Sequence, residues 1–220
     1  MSESQPDPFG ESAKTDPEAY AVSERLLDQI DYSSWIEESF KASPDSRRIA
    51  YTAEVGDMRT VVVDGEEGKV YNGIVGSCLL FSPDGRRVAY AAQVGDKGFV
   101  VVDGEEGKKY DGFGDLVFSP DSRRVAYAAG VGDKLLVVVD GEEGKRYDGI
   151  AEGAPIFSPD SRRVAYAARL GDKWFVVVDG EEGKKYDDFV GGSLLFSPDD
   201  RRVAYAAQVG DKWLVVVDGE

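Results

Sequence analysis

Few residues in this chain can do covalent chemistry. Histidine is absent, and Cys78 is the single cysteine. That removes Ser-His-Asp and Cys-His nucleophile systems, His-bound metal and a histidine pH switch, and it forbids an intramolecular disulfide. A cysteine-based zinc site within one chain has too few ligands. The serines that recur in Ser-Pro-Asp have no base to activate them and read as turn residues. Carboxylates remain. Glycoside cleavage needs an acid and a second carboxylate at a defined separation. The unique acids near the first-strand starts, Glu38, Asp115 and Glu152, do not occupy equivalent positions. The expectation is a protein that is not an enzyme, with no catalytic residue, no metal and no cofactor.

Two repeated motifs invite other chemistry. Asp-Gly-Glu-Glu-Gly-Lys stands complete at Asp64–Lys69, Asp103–Lys108, Asp140–Lys145 and Asp179–Lys184. It lacks the spacing of a phosphate loop and falls between strands rather than before a helix. Its paired glutamates do not make the EF-hand calcium pattern. The Arg pairs, such as Arg86-Arg87, are expected on the same face as these glutamates, where the charges neutralise one another at a solvated surface.

The elements that must position such residues follow from the repeat. Ser-Pro-Asp recurs with its serine at 43, 82, 119, 158 and 197, spaced 39, 37, 39 and 39 residues apart; Asp-Gly-Glu recurs with the same spacings from Asp64. Such self-similarity decides the architecture before local structure does. In the second copy, Ser77–Phe81, Arg87–Ala92 and Phe99–Val102 read as strands, and Lys108–Tyr110 as a short polar fourth. Turns at Ser82–Gly85, Val94–Lys97 and Asp103-Gly104 separate them. Four strands in about 39 residues, with inner strands apolar on both faces, fit a propeller blade. A solenoid would want shorter repeats.

The fold class is therefore all-β: a five-bladed β-propeller of four-stranded antiparallel blades over 31–220, closed by an N-terminal strand. The last copy stops at Glu220 before its fourth strand. The tyrosine of that strand lies eleven residues before Ser at Tyr71, Tyr147 and Tyr186, and nine before at Tyr110; Tyr32 lies eleven before Ser43. Residues Ile30–Ser34 are thus in phase to supply the missing strand and remove an open edge.

Phe-Ser-Pro-Asp followed by Arg-Arg-Val-Ala-Tyr, at Phe81–Tyr90, Phe118–Tyr127, Phe157–Tyr166 and Phe196–Tyr205 with a weaker copy at Ala42–Tyr51, resembles the TolB-type, WD-repeat-like propeller repeat. The resemblance covers about residues 40–220. It implies a scaffold for protein interaction rather than one chemistry. The chain departs from TolB in showing no secretion signal and no second domain of real size, so a periplasmic location and the Tol partners do not carry over.

Residues 1–15 read as a disordered acidic tail. Residues 16–30 read as a short N-terminal helix and latch, opened by Asp16-Pro17-Glu18 and carrying Val22, Leu26 and Ile30 on one side. This helix packs on the propeller rim or, in the sharper reading, docks another protein. The formal charge is −16, and residues 1–40 carry half of it. That excess excludes nucleic acid and anionic membrane as main partners. No apolar run is long enough to span a bilayer. A cytoplasmic monomer is expected.

The copies differ mainly at two connections expected on one face. After the second strand stand Glu54, Gln93, Gly130, Arg169 and Gln208. Two residues past the turn aspartate stand Arg59, Gly98, Leu135, Trp174 and Trp213. The fourth-to-first connection ends in Ser39, Cys78, Asp115, Ala154 and Ser193. The candidate ligand-binding residues are accordingly Glu54, Arg59, Gln93, Asp115, Arg169, Trp174, Gln208 and Trp213. Trp and Arg anchor interfaces, so the expected function is protein or peptide binding through this individualised face. Two other readings are a glycan-binding or glycan-cleaving propeller and a purely structural module of a larger complex. A rival account of Trp174 and Trp213 is packing between blades.

Overall fold

Each repeat folds as a meander because its apolar runs are short and its turns are chemically fixed. In the second copy the strands are Gly73–Phe81, Val88–Val94, Lys97–Val102 and Glu105–Glu106, hydrogen-bonded in that order. Between the first two, Ser82 Oγ donates to Asp84 Oδ1 at 2.6 Å and accepts the Arg87 N–H at 3.0 Å. Ser82, Ser119 and Ser158 are fully buried in this role. Asp103-Gly104 turns the chain with positive φ at both residues, 53° and 85°, the conformation favoured in two-residue hairpins. Asp103 tolerates it because Oδ1 accepts the Val88 N–H at 2.9 Å and Oδ2 accepts from Arg87 Nε at 2.8 Å.

The computed structural model describes residues 33–220, in which five antiparallel sheets follow one another along the chain. The predicted tail over 1–15, the helix over 16–30 and most of the closing strand, including Tyr32, lie outside the described residues.

Neighbouring sheets pack face to face. Phe99 and Val101 turn back onto Val61 and Tyr71 of the first sheet, while Val100 turns forward onto Leu136 and Val138 of the third. Burial on both sides is why these strands read as unbroken apolar runs. At the rim, Arg48, Arg87, Arg124 and Arg163 each lie over the phenylalanine of the next sheet, 5.3–5.5 Å from the ring centroid. Each also donates to a backbone carbonyl of that next sheet.

The fourth strand differs from expectation. Glu105–Glu106 pairs with the third strand, and pairing resumes only at Tyr110, which bridges Gly98. Lys108-Lys109, expected within the strand, lies in the gap. Gly107 opens that gap: a Cβ there would stand 3.1 Å from the Val100 carbonyl, as at Gly68, Gly144 and Gly183 at 3.0 Å from theirs. The glycine of the repeated acidic motif thus serves a close backbone approach.

The two ends of the series are unlike. Ser34 accepts the Glu54 N–H and Trp35 bridges Ala53, in the register by which Gly73-Ile74 meets Gln93-Ala92. Ser33-Ser34, expected in the closing strand, therefore lead into the first sheet. The third strand of the fifth sheet, Lys212–Val217, gains no fourth strand from the described residues. Val215 is 80% exposed, where Val100, Val137 and Val176 are 3%, 1% and 4%. The cluster of Ile49, Tyr51, Ala53 and Val62 on the first sheet's outer face includes Trp35 and no residue of the fifth sheet.

Candidate functional site

The individualised residues do converge. The second-strand ends pair with the first-strand starts, Gln93 with Gly73, Gly130 with Gly112, Arg169 with Gly149 and Gln208 with Asp188. Across the turn the same residues face Gly98, Leu135, Trp174 and Trp213, and Glu54 faces Arg59. All eight candidates therefore lie at or near one end of the sheets. The Ser-Pro-Asp turns and acidic motifs lie at the other.

Of the two accounts of the tryptophans, Trp174 follows the rival one, packing between sheets, and Trp213 does not. Gly98 and Trp174 of the third strands meet the first-strand start of the next sheet. Trp174 is half-buried and stacks on Phe189, with ring centroids 6.2 Å apart. A Cβ on Gly98 would stand 2.5 Å from the Phe113 ring, so glycine there makes room for phenylalanine. The signal was available as size complementarity between columns fifteen residues apart. Trp213, with no sheet beyond it, is 51% exposed.

The polar members are partly committed to the fold. Gln93 and Gln208 donate to the carbonyls of Gly95 and Gly210 at 3.1 and 2.9 Å. Arg169 donates to the Gly171 carbonyl at 2.8 Å and lies 5.8 Å from the Trp174 ring centroid. Asp115 Oδ2 accepts the Gly153 N–H of the next sheet at 2.9 Å. Asp148 and Asp187 are held below the usual carboxylate range, first by Lys134 and Lys173 and then by the N–H groups of Gly171 and Gly210; Asp111 is lowered by the Gly132 N–H and then Lys97.

Two junctions at this end leave open clefts. Between the third and fourth sheets a cleft of about 340 Å³ is walled by Phe113, Leu135 and Ile150, floored by Ala129 and Gly130, and edged by Asp115 and Glu152. Between the first and second sheets a cleft of about 300 Å³ holds Glu38, Lys41, Thr52, Arg59 and Ile74. The unique acids are thus divided, Asp115 with Glu152 in one cleft and Glu38 in the other.

The opposite end is uniform and internally paired. Tyr71, Tyr110 and Tyr147 donate to Glu106, Glu143 and Glu182 of the following sheet at 3.2–3.3 Å, and Lys69, Lys108 and Lys145 pair with the same carboxylates. Its grooves carry acid and base alike.

Five consecutive antiparallel sheets of one repeat, packed face to face, are the architecture of a β-propeller. Similar solved structures include TolB from Acinetobacter baumannii, at 17% identity over 81% of this chain and 50% of that one, TM-score 0.45. A eukaryotic initiation factor is 14% identical over 76% and 48%, TM-score 0.53. The β-propeller domain of the Trilobed protease from Pyrococcus furiosus is 14% identical over 78% and 66%, TM-score 0.45. This chain thus spans about half of the first two chains. No protein-family model and no curated protein matches it. The class the fold defines is a β-propeller. At such identities the likeness bears on fold alone.

Proposed function

We propose that the chain is a non-enzymatic binding scaffold that takes a protein or peptide at its individualised end. One observation carries the reading: the uniform end repeats one Lys–Glu pairing between successive sheets, while the other end holds an exposed tryptophan and an apolar cleft edged by Asp115 and Glu152. An apolar side chain of the partner enters the cleft between the third and fourth sheets, and Trp213 adds contact area. A cytoplasmic, monomeric setting belongs to the same proposal.

The test is a pull-down from lysate with Leu135→Trp/Ile150→Phe, which moves the Trp174–Phe189 type of pair into the open cleft. The partner should be lost while the melting temperature holds. Equal capture by both proteins would sink the reading.

Ring closure is proposed with it. The register of Ser34 and Trp35 supports it, because two residues upstream Tyr32 corresponds to the tyrosines that bridge the preceding sheet elsewhere.

A further inference from the structure

The first repeat departs from the others at three positions that share one cleft. Thr52 stands where the other copies have Ala91, Ala128, Ala167 and Ala206. Arg59 stands where they have Gly98, Leu135, Trp174 and Trp213. Lys41 stands where they have Leu80, Val117, Ile156 and Leu195. Twelve uncharged, mostly apolar residues thus correspond to one hydroxyl and two cations, and all three line the 300 Å³ cleft between the first and second sheets.

None of the three is spent on the fold. Thr52 is 2% exposed and its Oγ1 makes no hydrogen bond. A buried hydroxyl left unpaired is destabilising, and the other four copies carry alanine here. Its backbone is held firmly: Ser39 Oγ accepts the Thr52 N–H at 2.7 Å and donates to the Ile36 carbonyl at 2.6 Å. Lys41 and Arg59 are half-buried, and no ion pair forms at either among the described residues, whereas Arg48, Arg87, Arg124 and Arg163 are all paired with aspartates. Glu38 is exposed at the cleft, so cations outnumber acids by one among the residues that line it, with Glu54 facing Arg59 from outside the lining. That excess stands out in a chain of net charge −16.

From this geometry we infer that the cleft binds a small organic oxyanion, a carboxylate or a phosphate ester. Arg59 and Lys41 hold the anionic group, the Thr52 hydroxyl donates to a ligand oxygen, and Ile36 and Ile74 cover the ligand's apolar part. Arginine's fork suits either group in two-point contact. This site does not rest on the peptide-binding reading, which uses the cleft between the third and fourth sheets.

The test titrates the full chain with phenyl phosphate, inorganic phosphate and benzoate, following amide and Arg Nε–H resonances by NMR. Saturable shifts are expected at Thr52 and Arg59, and the anion that binds tighter separates phosphate from carboxylate. The variant Lys41→Leu/Thr52→Ala/Arg59→Leu carries residues that other copies place at these positions, so it should fold. Its affinity should fall at least tenfold. Thr52→Ala alone should bind more weakly while melting no lower than the parent. Absence of saturable shifts at the cleft, unchanged affinity in the triple variant, or a clear loss of stability in Thr52→Ala would each overturn the assignment. A peptide partner that still binds the triple variant leaves the scaffold reading standing whichever way the oxyanion result falls.

Discussion

At the scale of single residues, the same side chain does different work in different copies. Trp174 and Trp213 occupy one column, yet the first stacks on Phe189 and the second meets solvent. Trp174→Ala should lower stability toward the about 3–5 kcal/mol that buried aromatic truncations cost. Trp213→Ala should stay within about 0.5 kcal/mol if the tryptophan is a surface anchor. Thermal melts of the two variants check this: a small loss at Trp213 would mean a surface anchor beside an open last junction, and equal losses would place it in the junction that the proposed closure covers. The titrating groups give a second expectation. Asp45, Asp84, Asp121, Asp160 and Asp199 are held below the usual range, first by the serine hydroxyl of their own turn. Tyr71, Tyr90, Tyr110, Tyr127, Tyr147, Tyr166 and Tyr205 are pushed up, chiefly by burial. For the aspartates the unfolded chain binds protons first, so stability is present above about pH 4 and is lost as pH falls further. For the tyrosines the unfolded chain ionises first, so stability is lost as pH rises past about 10. Without histidine the melting temperature should be nearly flat between those limits, and a step near pH 6–7 would contradict this account.

At the scale of elements, strand pairing and glycine placement set the blade. The four-strand meander was legible because Ser-Pro-Asp and Asp-Gly are turns by their own chemistry. The break in the fourth strand was not, because it depends on how close the third-strand carbonyl comes. Gly144→Ala would put a Cβ 3.0 Å from the Val137 carbonyl. It should cost about 1–3 kcal/mol, as overpacking does. Gly132 has positive φ but open space around it, so Gly132→Asn, a residue that tolerates that conformation, should cost much less. Chemical denaturation of the two variants compares them, and a neutral Gly144→Ala would mean the strand shifts freely.

For the whole molecule, the question is what meets the fifth sheet. Arg202 shows the difference at the rim: its side chain is 71% exposed, while Arg48, Arg87, Arg124 and Arg163 are 31–35% exposed. Ala42 also stands where the other copies have the phenylalanine that receives the arginine. Among the described residues this last junction is unmade, and the proposed closure would draw on residues outside them. If the ring closes so, Val215→Lys should destabilise the protein about as much as Val137→Lys, since both would bury a charge without a partner. Deleting residues 1–32 should remove that difference from the parent and favour aggregation through the bared edge. Should Val215→Lys melt like the parent, the ring is not closed in solution.

What the sequence by itself determined is everything that repeats. Five copies, the strand meander within each, the turn chemistry, burial on both strand faces and the sharing of one end by the variable residues all follow from local periodicity and turn propensity. Asp115, Arg169 and Trp174 were singled out for standing outside the repeat, but their roles depend on the neighbouring sheet. Tertiary structure alone decided that Trp174 is packed, that Gly98 accommodates Phe113, and that Asp115 reaches Gly153 and shares a cleft with Glu152. It alone gathered Lys41, Thr52 and Arg59 around one space. The physical reason is that a repeat fixes contacts within its own length, whereas a cleft between blades is the volume left over when two different side-chain sets meet, and no single copy encodes that remainder.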